Sequence, residues 1–185
     1  AWLGNNISDY LQDGHRFGVK IHYSWENEGA LETAGGIIKA LPYLCGEDDE
    51  AFLVVNGDIY MDYDLTNLPK LSENQLAHLW LVDNPEHHPA GDFYLDDGLL
   101  QNITHSEQYQ DKKSHTFSGL GMYRPSLFND YLDQKVMKLA PILKSAIEDG
   151  KITGELLHGL WTDVGTPQRL AQLNTQLNKY KVNYK

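Results

Sequence analysis

The stretch Ala51-Phe52-Leu53-Val54-Val55-Asn56-Gly57-Asp58 decides how this chain is read. Five apolar residues run without a polar break and then meet three turn formers. A strand with one wet face would alternate, so this run reads as a strand apolar on both faces, central in a sheet and parallel to its neighbours. Asp58 leaves it after a glycine, at the carboxyl end, where open α/β sheets bind their ligands. Asn56, Gly57 and Asp58 are also ordinary turn residues, so the same stretch supports a plain turn.

Outward from that strand, the pattern alternates between strands and helices. Leu76 to Val82 reads as a second buried strand, and Phe17, Val19, Ile21 and Tyr23 alternate with Gly18, Lys20 and His22 as a half-buried one. Asn5 or Asn6 caps a short helix that stops at Asp13-Gly14. Leu31-Glu32-Thr33-Ala34-Gly35-Gly36 reads as a glycine-containing turn feeding a helix that ends near Pro42. From Gly91 to Tyr123 the text is β-like: Asp92–Leu95, a turn at Asp96-Asp97-Gly98, Leu99–Thr104 and His115–Tyr123. Helices follow at Ser126–Leu132, at Ala140–Glu148 with Pro141 in its first turn, and at Pro167–Leu177. Between the last two lies a short strand pair, Ile152–Leu157 and Leu160–Asp163. The order predicts an α/β three-layer sandwich around a mixed, mostly parallel sheet, in a single domain over 1–185 with a β-rich insert at about 84–123.

Composition narrows the function classes. With 185 residues, 41% apolar and 22% charged, the chain is sized for one domain with a proper core. No apolar run approaches the roughly 20 residues of a membrane span. Fifteen basic against twenty-six acidic residues leave −11, a field that repels nucleic acid. The single cysteine, Cys45, makes no internal disulfide and fits a reducing, cytoplasmic setting. A small polyanion stays within reach if a metal ion offsets the field.

Asp163 is the natural second acid. Trp161-Thr162-Asp163-Val164-Gly165-Thr166-Pro167 runs from a short strand into a helix capped by Thr166 with Pro167 at its first position. It reads equally as a bare strand-to-helix junction. If Asp58 and Asp163 meet across a crevice they repel unless a cation sits between them, and oxygen ligands beside phosphate suit Mg²⁺. The Leu31–Gly36 turn lets backbone amides approach a ligand, but it is not a Walker loop, lacking Gly-Lys-Ser/Thr.

Taken in order, Leu31–Gly36, Val55–Asp58 and Trp161–Thr166 resemble the sugar-1-phosphate nucleotidyltransferase family, with its Rossmann-like, GT-A-like fold. Within it the chain is most similar to the bacterial N-acetylmuramate α-1-phosphate uridylyltransferases of cell-wall sugar recycling. That similarity rests on Leu81-Val82-Asp83-Asn84-Pro85-Glu86-His87-His88-Pro89, Gly91-Asp92-Phe93, Thr116-Phe117-Ser118-Gly119, Leu139-Ala140-Pro141 with Leu143, and Trp2-Leu3-Gly4 through Arg16-Phe17-Gly18.

The resemblance implies an enzyme that joins UTP to a sugar-1-phosphate with release of pyrophosphate. It implies that Asp58 and Asp163 hold Mg²⁺. It sets Leu31, Glu32, Thr33, Gly35 and Gly36, with Asn56, against the nucleotide. It sets Gly91, Ser118 and Gly119 against the sugar, with Glu107 of Ser106-Glu107-Gln108 as a further sugar candidate. A mannose-1-phosphate guanylyltransferase and a non-catalytic nucleotide-sugar-binding regulatory subunit are the alternatives. The family's opening strand, its Gly-x-Gly-x-Arg loop and its Pro-Lys element are not in this sequence, a strand–loop–helix unit of about 30 residues or more. The chain alone is therefore expected to be inactive, and its Val54-Val55 edge to dock the missing segment or to self-associate.

Other features read blandly. His87-His88 is expected on a surface loop, Glu47-Asp48-Asp49-Glu50 as a solvated run, Trp80 in the core, and Cys45 without a catalytic role. Asp62 and Asp64 read as loop or cap residues.

Overall fold

The structure, a computed structural model, describes residues 3–27, 29–46, 48–103 and 112–183. In chain order its elements are helices α1 (Gly4–Leu11) and α2 (Glu32–Leu44), and strands β1 (Phe52–Val55), β2 (Ile59–Met61), β3 (Ala77–Val82), β4 (Phe93–Asp96), β5 (Leu99–Asn102) and β6 (Ser114–Tyr123). Then come helix α3 (Leu139–Glu148), strands β7 (Ile152–Leu156) and β8 (Trp161–Asp163), and helix α4 (Pro167–Asn183). Turns of 3-10 helix lie at His15–Phe17 and Pro125–Tyr131. The chain gathers into two compact units, Ala1–Phe52 with Arg124–Ser145, and Leu53–Tyr123 with Ala146–Lys185.

The first unit is built around the start of α2. The amides of Ala34 and Gly35 both donate to the Met137 carbonyl, and the Met137 amide donates to Leu31 O. This satisfies amides of the first helical turn, which have no partner inside the helix. Gly35 is required there: a Cβ would sit 2.5 Å from Lys135 O. Phe52 and Phe128 stack at 6.4 Å between centroids. The Asp49 carboxylate accepts from the Ser126 amide and hydroxyl at 2.8 and 2.7 Å, fixing the Pro125–Tyr131 turn. One member of the acidic run is thus an anchor rather than only a solvated charge.

The second unit holds the sheet. Among the described residues its strands order as β1-β6-β3-β7-β5-β4, with β4 also pairing β6, while β2 and β8 form a separate ladder. Every residue of β3 is buried, and Leu79, Trp80 and Leu81 are fully so. Burying each such leucine contributes about 1.5–3 kcal/mol. Trp80 donates its indole N–H to Glu155 Oε1 and Tyr63 Oη, giving a core residue its polar partner. The β4–β5 hairpin turns through Asp97 and Gly98 at φ 48° and 79°, the two positive angles a tight type I′ turn requires.

The sheet is mixed, as the sequence indicates, but the expected parallel majority is corrected. In the registered pairs only β3–β7 is parallel; β3–β6, β4–β5, β4–β6 and β5–β7 are antiparallel. An apolar run reports cover on both faces and carries no information on direction. Likewise β1 stands at one end of the described sheet, not at its centre, and Val55 is 46% exposed. Ile152–Leu156 and Trp161–Asp163 do not pair with each other; β7 joins β3 and β8 joins β2. Residues 17–23 form no strand, and Phe17 and Val19 are exposed. Helix α2 begins at Glu32, so the two glycines lie inside it, and it carries Pro42 in its last turn. Among the described residues no helix is long and apolar enough to cross a membrane.

Candidate active site

The β2–β8 ladder builds the site. Its antiparallel register sets Ile59 opposite Asp163, and the Val164 amide donates to Asp58 O at 2.7 Å. Asp58, one residue before β2, and Asp163, the last residue of β8, thus come together at one end of the ladder although more than a hundred positions separate them in sequence. Both line one cleft of about 310 Å³, together with Asn56, Ser118, Gly119 and Trp161. Among the described residues the Asp58 carboxylate meets no donor or cation. Asp163 is differently placed. Arg169 Nη1 lies 3.1 Å from its Oδ1, and His87 Nε2 lies 3.4 Å from its Oδ2. Arg169 also approaches His87 at 3.0 Å, while its Nε is buried without a partner. Helix α4 supplies this arginine from its first turn, where Thr166 Oγ1 accepts from the Arg169 amide as the sequence predicts.

The sugar-side residues divide. Ser118 is fully buried; its Oγ accepts from the Leu120 amide and its carbonyl from Trp161 Nε1, so this segment shapes the cleft wall. Gly119 has φ 83°, and a Cβ there would meet Asn56 Cβ, Cγ and Nδ2 at 2.8–3.0 Å. Gly91 has φ 66°, with Asn84 Oδ1 2.7 Å and His115 O 2.9 Å from its would-be Cβ. Both glycines have a backbone reason to be there, independent of any ligand. Gly91 does not line the cleft. Glu107 lies outside the described residues.

The nucleotide-side candidates belong to the first unit, except Asn56. Leu31 and Gly35 line a separate cavity of about 360 Å³ with Glu26, Ile38, Lys39 and Lys135, whereas Glu32, Thr33 and Gly36 do not. Glu26 Oε2 accepts from the Leu31 amide at 3.2 Å and its Oε1 faces Gly36, so Glu26 braces this turn. No feature of its spacing marked it in the sequence.

His87 and His88 are cleft residues that the sequence placed on a plain surface loop, and Arg169, which reaches Asp163, carried no signal in it. A loop histidine pair carries no spacing signal, and an arginine in the first turn of a helix looks like a solvated end. The structure brings His87 and His88 into the cleft rather than leaving them on an uninvolved loop. Trp161 lines it too, whereas Trp25 is exposed. Cys45 donates to Leu41 O, and burial followed by the Asp49 charge pushes its thiol pKa up, the reverse of an activated nucleophile. Asp64 accepts from the Thr66 amide and hydroxyl, which makes it a local turn residue as expected.

A family model described as nucleotidyl transferase matches residues 4–180. The chain is 44% identical to an N-acetylmuramate alpha-1-phosphate uridylyltransferase of Neisseria meningitidis serogroup B, over 98% of this chain and 77% of that protein. It is 30% identical to the bifunctional protein GlmU of Methanococcus aeolicus, over 80% of this chain and 36% of that one. Among solved structures, HddC from Yersinia pseudotuberculosis superposes with a TM-score of 0.65 at 18% identity, over 92% of this chain and 73% of that chain.

Proposed function

The chain belongs to the nucleotidyl transferase family, and from that premise we propose that the intact protein transfers a uridylyl group from UTP to N-acetylmuramate α-1-phosphate, giving the UDP-sugar and pyrophosphate in the recycling of cell-wall sugars. The observation that carries the reading is the pair Asp58 and Asp163 at one end of the β2–β8 ladder, both lining one cleft. The choice of base and sugar is supported by the Neisseria relative.

Among the described residues no group of three or more His, Cys, Asp or Glu is arranged to hold an ion. Two carboxylates with room for waters and phosphate oxygens are what Mg²⁺ accepts, and Asp58 meets no competing protein cation. Asp58 and Asp163 are the residues that would hold Mg²⁺, which, when bound, neutralises charge on the phosphates. The chain's own part is positioning. Arg169 and His87 orient the Asp163 carboxylate, and Trp161, tied to the Ser118 carbonyl, fixes the wall beside it. Attack on the α-phosphorus is an in-line displacement by the sugar phosphate and needs no side-chain nucleophile.

The test is pyrophosphate release by the intact protein from UTP and N-acetylmuramate α-1-phosphate, with and without Mg²⁺, beside GTP with mannose-1-phosphate. Magnesium-dependent turnover of the first pair supports the reading. Turnover of only the second pair replaces it by the guanylyltransferase, and ligand binding without turnover of either replaces it by a regulatory subunit.

A further inference from the structure

His88 lines the same cleft as Asp58 and Asp163, but it is held from the other direction. Its Nε2 lies 3.1 Å from Asp92 Oδ1, and Asp92 Oδ2 accepts the Phe117 amide of β6 at 2.8 Å. The Asp92 amide in turn donates to His115 O at 2.8 Å. A strand therefore fixes a carboxylate, and the carboxylate fixes an imidazole. Nε2 is directed at Asp92, so the ring's orientation is set, and Nδ1 meets no partner among the described residues; a proton on Nδ1 as well makes it a donor toward an anion. Arg169 and His87 are engaged elsewhere, since both address Asp163. His88 is thus the braced polar group of this cleft with a nitrogen left for a ligand.

N-acetylmuramate differs from N-acetylglucosamine by a lactyl ether, which adds a carboxylate to the sugar. A chain of net charge −11, with two aspartates in the cleft itself, opposes a second anionic group on its substrate unless a donor meets it. We propose that His88, braced by Asp92, is the specificity-determining residue that receives this carboxylate, so that the cleft selects an acidic sugar-1-phosphate over its neutral parent. The inference rests on the uridylyl-transfer reading above and deepens it.

The experiment compares kcat/KM for N-acetylmuramate α-1-phosphate and N-acetylglucosamine α-1-phosphate, with UTP and Mg²⁺ fixed, in the unaltered protein, His88→Gln, His88→Arg and Asp92→Asn. The expected result is that His88→Gln lowers the acidic-over-neutral preference roughly 10- to 100-fold, the worth of one charge-assisted hydrogen bond. The loss should fall mainly on KM of the acidic sugar. His88→Arg should restore part of the preference, and Asp92→Asn should lower it less than His88→Gln. A parallel loss on both sugars would make His88 merely structural and overturn the proposal while leaving the uridylyl transfer intact. An unaltered protein that prefers the neutral sugar would overturn both the proposal and the muramate assignment.

Discussion

Gly119→Ala is the sharpest test of how the cleft wall is made. At φ 83° an alanine enters the left-handed region, which costs roughly 1–2 kcal/mol. Its methyl would also meet Asn56 at 2.8 Å from Nδ2 and 3.0 Å from both Cβ and Cγ. The carboxamide end can rotate aside. The Cβ cannot, because the Asn56 amide is hydrogen-bonded to Gly119 O at 2.9 Å. Such overpacking adds about 1–3 kcal/mol, so the substitution is expected to cost about 2–5 kcal/mol, the sum of the two effects. A chain of this size loses roughly 2–4 °C of melting temperature per kcal/mol. In an Asn56→Gly background the steric part disappears and only the backbone cost of roughly 1–2 kcal/mol remains. Equilibrium urea unfolding of the four proteins closes the cycle. A Gly119→Ala cost that is the same in both backgrounds would refute the claim that this glycine exists to admit Asn56.

Further outcomes follow from the same geometry. Asp163→Asn keeps shape and removes charge, so turnover should fall about 100-fold or more while metal-free uracil-nucleotide binding changes far less; near-normal rates at limiting Mg²⁺ would contradict the ligand role. Gly35→Ala puts a methyl 2.5 Å from Lys135 O, a backbone atom, and should destabilise the first unit by about 1–3 kcal/mol; amide hydrogen exchange across Glu32–Leu44 reads it directly.

Burial pushes the imidazoles of His78 and His115 below their ordinary pKa, with the Lys113 charge adding to it at His115. His78 donates through Nδ1 to Thr153, whose hydroxyl donates to Ala77 O, leaving Nε2 buried without a partner. The unfolded chain takes up these protons from about pH 6.5 downward while the folded one resists, so stability holds above that pH and drains as pH falls below it. Urea midpoints at about pH 7.5 and pH 5.5 should differ in that direction, and an equal difference in His78→Gln would clear that residue of responsibility.

Much of this was legible locally, because the decisive signals are chemical and short-range. Continuous apolarity located β1 and β3, Asp97-Gly98 marked the hairpin, and Pro141 and Thr166 marked helix starts. The two candidate acids stand out in the sequence because Asp58 leaves an apolar run after a glycine and Asp163 ends a short strand that runs into a capped helix. What stayed hidden depends on partners. Alternation at 17–23 specifies a face but does not provide an edge to pair with, and no strand forms there. The partner of β8 cannot be read from a three-residue strand. The duties of Gly91 and Gly119 appear only once Asn84 and Asn56 are seen against them. His87 and Arg169 become site residues through the Asp163 they share, from segments 82 positions apart.

The β2–β8 ladder also has a consequence for the order of assembly. It spans three rungs and joins Ile59–Met61 to Trp161–Asp163. Neither carboxylate can find the other until the ribosome has released the second segment, and so short a ladder cannot nucleate folding on its own. Closure entropy grows only by about 0.6 kcal/mol for each doubling of the enclosed length. Inserted residues between the two segments are therefore cheap at equilibrium, though they slow the meeting of the ends. The proposed metal-holding pair should be among the last native contacts to close, and a bound nucleotide with its cation would act as the clasp that keeps them closed.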